Sequence, residues 1–563
     1  MFSKTTHRLF ALIIVVVIVA ASGLSTAVQA QQAGNVVADL GFRPDGNGFG
    51  FPNYGADTPV TNLTPAEMRR LIGDAVCATI NGDTCVLVPP MQQLMDTLNG
   101  KMGGGHCEGM AVLSTIFFAG KEKASDFGQD KATGLPFDSN VKLQREIAMW
   151  FATQFLNSVG DATIKDKTPK EILDILTKAL TDRSEYYVVH IFQPGYKNGH
   201  AITPYAVQDM GGGVFHVMVY DNNWPKDQNR FIEIDTNANK WTYLAATNPS
   251  VPEAVYNGDA ASKSLQLAPI NLRVSKQSCP ACTAALDSMR VMYASGAAAQ
   301  TGAYHIGRTA AVQAAPAVNE VSLYSTTGDV SATDLLITDA QGHRLGYQGG
   351  QFFSEIPTAE FIPAVSGDLF ADDPEPVYYI PVGIAFTITL DGSALKADEI
   401  TNVSMVGPTY DLAVENIKVK AGEKDTLVFS PDGSKLAYTP SSDESPDIIV
   451  GLQHDGPDYE FDIKGADIQP GATINVTLDY DKGQLGINTT GTGEKTSTYA
   501  IQVDRLTDTA QDTFSHDGLT LDPGQTAYIM FGAWDGKGDM NIGLDTNNDG
   551  TADSTQAEPN THQ

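Results

Sequence analysis

The spacing of apolar residues changes after residue 180, and that change limits the fold more than any other feature. Up to residue 180 the pattern is helical. Thr64-Pro65-Ala66-Glu67 reads as a helix start, with Thr64 as cap, Pro65 at the first position and Glu67 at the third. Met68, Leu71, Ile72 and Ala75 follow at helical intervals. Pro89-Pro90 breaks the chain before a short helix over Met91 to Leu98, and a glycine-rich turn then leads into the apolar stretch Met110 to Ala119. Val141 to Val159 and Lys170 to Leu180 read as two further amphipathic helices. From Tyr186 the chain reads as strands: Tyr186 to Gln193, His200 to Val207, Val214 to Tyr220 and Arg230 to Ile234, separated by Gly, Asn and Asp turns. Helices followed by an antiparallel sheet make an α+β domain. Beyond residue 318 short alternating strands recur (Asp334 to Thr338, Ala385 to Leu390, Thr473 to Leu478, Thr498 to Val503), the pattern of one or two β-sandwich modules without an exact repeat.

A chain of 563 residues exceeds one core. The expected order is a signal peptide (1–30), a loop-like lead-in (31–60), the α+β domain (61–270), a helical linker with a CxxC pair (271–317) and the β-sandwich region (318–563). Lys4 and Arg8 precede a twelve-residue apolar run, Phe10 to Ala21, and Val28-Gln29-Ala30 supplies a cleavage site. The run is short for a spanning helix, which needs about 20 apolar residues, and no later stretch is long and apolar enough to span. The mature protein is therefore expected outside the cytoplasm, secreted, periplasmic or at the cell surface, with no membrane partner. A formal charge of −31 argues against nucleic acid, because a phosphate backbone calls for a basic surface.

Cysteine arithmetic singles out one thiol. In an oxidising compartment the close pairs Cys77/Cys85 and Cys279/Cys282 are expected as disulfides, leaving Cys107 odd. An odd cysteine is a reactive thiol, an intermolecular bridge or a buried bystander. Cys107 stands where Gly103-Gly104-Gly105-His106 runs into the helix, and a helix N-terminus favours the thiolate. Gly199-His200-Ala201 begins a strand, and Asp221 and Asn222 end the next one. Hairpin geometry would set a carboxylate or amide beside the imidazole, fixing its tautomer. Either Asp221 or Asn222 fits that role.

Together these segments resemble papain-like cysteine peptidases and their relatives over roughly residues 60–250. Gly105-His106-Cys107-Glu108-Gly109-Met110-Ala111 is similar to the family's nucleophile motif, Gly199-His200-Ala201 to its histidine strand, and Asn222-Asn223-Trp224 to its Asn-x-Trp element; relatives with Asp at that position make Asp221 equally eligible. The resemblance implies a papain-like fold, a peptide or protein substrate, Cys107 as nucleophile, His200 as base and Asp221 or Asn222 orienting it. The chain departs from the family at Lys101, where the oxyanion glutamine would stand; Asn99, Gln92, Gln93 or backbone amides of the glycine run could substitute. His106 and Glu108 replace the usual small and aromatic neighbours.

Asp545, Asn547, Asp549, Thr551 and Asp553 place oxygen groups at alternate positions around Gly550, the spacing of a Ca²⁺ loop. Position twelve is Gln556 and not Glu, so Asp553 would close a shorter, structural site. Cys279-Pro-Ala-Cys282 lacks a second CxxC and is expected as a disulfide. The leading reading is an exported thiol peptidase followed by a β region suited to carbohydrate, surface or partner binding. Two others compete: a degenerate papain-like domain in a calcium-stabilised binding or adhesion protein, and a transglutaminase or peptidoglycan amidase.

Overall fold

The computed structural model describes residues 34–245 except 57, 255–275, 277, 317–325, 330–367 and 374–561 except 455. Helices come first. Thr64 and Glu67 form a reciprocal capping box on Pro65–Leu71, and two prolines open Pro89–Lys101. The central helix, Cys107–Phe118, is buried along its first ten residues. It packs on Val141–Ala152 and on the strand Lys197–Gly211. The long helix expected over Val141 to Val159 breaks after Ala152. A 3₁₀ turn, Thr153–Phe155, leads into the extended residue Leu156 and a short helix, Asn157–Ala162. Thr153 donates back to the carbonyl of Trp150 and Gln154 to that of Phe151, so both side chains compete with helix continuation.

The sheet of this first domain has eight antiparallel strands. Seven run in the order Leu265–Pro269, Tyr187–Gln193, Lys197–Gly211, Val214–Tyr220, Phe231–Asp235, Lys240–Leu244, Val255–Asp259. The eighth, Asn35–Asp39, pairs with the far half of Lys197–Gly211, where Tyr187–Gln193 has ended. The segment expected as a lead-in is thus part of the domain: it adds this strand and buries Phe42 and Phe49 completely. Cys77 and Cys85 form a disulfide across the hairpin Cys77–Asn81/Thr84–Leu87. Cys279, Cys282 and most of the expected linker lie outside the described residues, as does the expected signal peptide. Among the described residues no helix is long and apolar enough to cross a membrane.

The C-terminal half is a β-sandwich. Nine strands form one sheet, from Glu360–Ile362 to Gln511–Leu521, and eleven form the other, from Gln351–Ser354 to Ser554–Glu558. From Glu399 on, hairpins and a final three-stranded meander are dealt alternately to the two sheets: 399–419, 447–464 and 497–521 to the first, 424–439, 472–491 and the meander 526–558 to the second. Both sheets run through without interruption and enclose one hydrophobic core, so the expected one or two modules form a single long sandwich. Strict alternation drives this packing: Ala472–Asp479 buries every second residue. Pro89–Lys101 docks on the nine-stranded sheet, with Gln93 donating to the Tyr324 hydroxyl at 2.9 Å and Thr97 bonded to Ser404 at 3.0 Å.

Candidate active site

Cys107 is the first residue of the central helix, set there by a turn in which Gly105 takes a φ of 126°. His106 holds the turn. Its ring stacks on Tyr54 at 4.1 Å, and its nitrogens meet the Tyr54 carbonyl at 2.8 Å and the Asn62 side-chain amide at 2.9 Å. Burial pushes its pKa down to about 4 against the opposing pull of the Tyr54 carbonyl, so His106 is neutral at physiological pH.

His200 is wholly buried, four residues into an interior strand and not at a sheet end. The strand starts early because Tyr196 and Asn198 adopt positive φ, closing a tight hairpin that pairs Gln193 with Lys197. His200 Nε2 lies 2.8 Å from Asp221 Oδ1, and Asp221 is the first residue after Val214–Tyr220. The same oxygen accepts from the Asn223 amide at 2.9 Å, while Asp221 Oδ2 accepts from the Tyr243 hydroxyl. Burial alone would raise the Asp221 pKa; His200, Tyr243 and the Asn223 amide outweigh it and hold the group below the ordinary carboxylate range. Asn222 is used differently: its Nδ2 donates to the carbonyls of Cys107 at 3.0 Å and Ala201 at 2.9 Å, tying the helix start to the histidine strand. Of the two candidates, Asp221 faces the imidazole.

The other ring nitrogen points toward the thiol. A methyl group built on Gly367 would fall 2.1 Å from His200 Nδ1 and 2.8 Å from Cys107 Sγ, so both atoms face one point. His200 Nδ1 is buried and has no hydrogen-bond partner, and Cys107 Sγ accepts from the Ala201 amide at 3.3 Å. The thiol itself differs from expectation. Burial pushes its pKa well above the ordinary value, with the charges of Glu108 and Asp221 adding to the rise, and the Ala201 amide does not offset them. The helix N-terminus does not make this thiol an anion in the closed arrangement.

Lys101, at the position expected for an oxyanion glutamine, is turned away. It is buried and donates to the carbonyl of Glu375 at 2.6 Å. The proposed stand-ins are also engaged elsewhere: Gln92 with Asp96, Gln93 with Tyr324, and Asn99 with both backbone groups of Leu63. The side-chain donor beside Cys107 is Asn53. Its amide N–H donates to the Asn222 carbonyl at 2.9 Å and its Oδ1 accepts from His106 N–H at 2.7 Å, which aims Nδ2 at the cleft. There Asn53 Nδ2, at 3.0 Å, and Cys107 N–H, at 3.3 Å, converge on one carbonyl oxygen, that of Ser366.

Glu108, next to the thiol, is a structural group. It is fully buried, 2.6 Å from Arg273 and 2.9 Å from His190; burial would raise its pKa, but these two partners bring it to about 2. Trp224 donates to the Ala245 carbonyl at 2.5 Å and lies under the Arg230 guanidinium.

The C-terminal acidic motif forms the turn between Met540–Asp545 and Ser554–Glu558. Buried Asp545 accepts from the amides of Asn547, Asn548 and Asp549 through Oδ1 and from Gly550 through Oδ2. Asp553 accepts from Thr546 and from Asn547 Nδ2, and Asp549 from the Thr551 amide. Among the described residues no three His, Cys, Asp or Glu side chains are grouped to hold a metal ion.

No family model matches this chain, and neither a curated protein nor a solved structure does so. The site therefore rests on its own geometry. The chain brings together a thiol, an imidazole backed by a buried carboxylate, and two N–H donors on one carbonyl, the parts needed for acyl transfer. Sequence reading missed Asn53, Tyr243 and Gln154. Only Tyr243 carried a signal, standing two residues from Trp241 on the buried face of an alternating strand.

Proposed function

We propose that this protein is an exported cysteine hydrolase, papain-like in the order and roles of its groups, that cleaves peptide bonds by acyl transfer through Cys107. The observation that carries the reading is the line Cys107–His200–Asp221, in which Asp221 engages Nε2 and leaves Nδ1 free beside the thiol. With the thiol protonated at rest, His200 acts as general base during attack. It takes the Sγ proton, the thiolate adds to the substrate carbonyl, and Cys107 N–H and Asn53 Nδ2 hold the oxyanion. Asp221 keeps the proton of Nε2 facing inward and stabilises the imidazolium; Tyr243 and Asn223 hold Asp221. His200 then protonates the leaving amine, and water hydrolyses the thioester.

The test is peptide hydrolysis by the full chain and by Cys107→Ala. Hydrolysis by the first and none by the second is expected; equal activity, or none in either with the cleft opened, refutes the reading. A closed, non-hydrolytic binding domain is the second reading, favoured by the complete burial of Cys107 and its raised pKa. For the loop 545–553 calcium is the proposed ligand, and a melting temperature unchanged between EDTA and Ca²⁺ would dismiss it.

A further inference from the structure

The space in front of Cys107 is filled by the protein's own chain. Residues 363–367 leave the strand Glu360–Ile362 of the β-sandwich and cross the cleft before the chain returns as Val377–Pro381. Val365 is bound on both backbone sides by one amide: Gln154 Oε1 accepts from its N–H at 2.8 Å and Gln154 Nε2 donates to its carbonyl at 3.3 Å. The Ser366 carbonyl takes both oxyanion donors, and the Gly367 carbonyl accepts from Asn223 Nδ2 at 2.7 Å. Gly367 lies against the thiol and the free imidazole nitrogen.

The walls leave room for this segment where side chains are missing. A methyl group on Gly105 would come within 2.3 Å of the Ser366 oxygen, one on Gly104 within 2.6 Å of Ser366 Oγ, and one on Gly199 within 2.3 Å of the Ala364 oxygen. Missing side chains on two separate stretches, 104–105 and 199, make room for this backbone and for the Ser366 hydroxyl. At Gly367 itself, with φ +61°, any side chain would strike both Sγ and the imidazole. A carbonyl in the oxyanion donors, with the following residue beside the base, is how a scissile peptide lies and how it is held for attack.

Resting on the hydrolase reading, we infer that the Ser366–Gly367 bond is this enzyme's own substrate, cut in cis. Cys107 gives its proton to His200 Nδ1 and Sγ bonds to the Ser366 carbonyl carbon. The Ser366–Gly367 C–N bond then breaks, with the His200 proton passing to the departing Gly367 amine. One water cleaves the thioester, leaving the Ser366 carboxylate and a restored thiol. The products stay together, because Val318–Tyr324 pairs with Val377–Pro381 and Asp334–Asp339 with Phe386–Asp391 across the cut. The new ends can then leave the cleft and open it to other chains. Substrates in trans would share the motif: an aliphatic residue, then a small one, with glycine after the bond.

The experiment follows freshly purified full-length chain, Cys107→Ala and Cys107→Ser by denaturing electrophoresis, intact mass and N-terminal sequencing. The native protein is expected to become two chains that co-elute under native conditions, the second beginning Gly367-Asp368-Leu369, at a rate unchanged by dilution; both variants stay single. In parallel, Gly367→Ala, whose methyl group expels its own loop, is given the peptide FIPAVSGDLF. An uncut native chain with the peptide cleaved overturns this inference and leaves the hydrolase standing. An uncut chain with an uncut peptide overturns both. Cleavage at another bond, or cleavage of the Cys107 variants, also overturns it.

Discussion

Two places where backbone amides are concentrated, the start of the central helix and the turn after Asp545, are satisfied in opposite ways. At the turn, four amides are met by the carboxylate of a residue inside the same loop. At Cys107 the amide is met by a carbonyl from another domain, more than 250 residues further along. A self-satisfied cluster stabilises a turn. One that borrows its acceptor is built to receive a chain, and the residues around it, Asn53, Gln154 and Asn223, hold backbone and not side chains.

That contrast can be broken in four ways. The largest effect is expected from Cys107→Ala, which should lower peptide hydrolysis by a factor of at least about 10⁴ while leaving urea unfolding nearly unchanged. Asn53→Ala removes the side-chain oxyanion donor and should reduce kcat by roughly 10²–10³ with a smaller change in KM; a KM effect alone would make Asn53 a binding residue only. Asp545→Ala should do the reverse: about 2 kcal/mol less stability in urea, from orphaned amides, and unaltered hydrolysis.

The smallest effect is a pH dependence at the loop's far end. Buried Glu375 has its pKa raised to about 7 and Glu320 to about 8; burial is the main cause in both, opposed by Lys101 nearby and, at Glu375, by hydrogen bonds from Tyr378 and Leu335. A carboxyl group whose folded pKa is raised stabilises the fold fully below its unfolded value near 4.5, and that contribution fades as pH rises through the folded value. The unfolding free energy should therefore fall between pH 5 and 8, by on the order of 1 kcal/mol per pH unit for each group up to its folded pKa, the melting temperature should fall with it, and Glu375→Gln should flatten the slope. A flat profile in the native protein would mean these carboxyls do not titrate with folding.

Local chemistry made much of this legible. The Thr64 capping box, the Cys77–Cys85 hairpin closure and the alternation of Ala472–Asp479 are written in neighbouring residues, and the structure has all three. Cys107 and Asp221 sit at element boundaries that sequence patterns mark, whereas the strand of His200 begins three residues earlier than its pattern suggests. What escaped depends on long-range packing. Asn53 lies in an aperiodic stretch, and its role exists only because Asn222 and His106 fix its backbone and amide from other elements. The occupant of the cleft comes from a half of the molecule whose pattern speaks only of strands. The thiol's raised pKa follows from its complete burial and the charges of Glu108 and Asp221, a long-range environment that no motif around Cys107 encodes.

The most direct measurement is cleavage of FIPAVSGDLF by Gly367→Ala and by Gly367→Ala/Cys107→Ala, read by mass spectrometry. A single cut between serine and glycine is expected with the first protein and none with the second. An intact peptide with the first, or the same cut by both, would contradict Cys107-dependent cleavage at this bond.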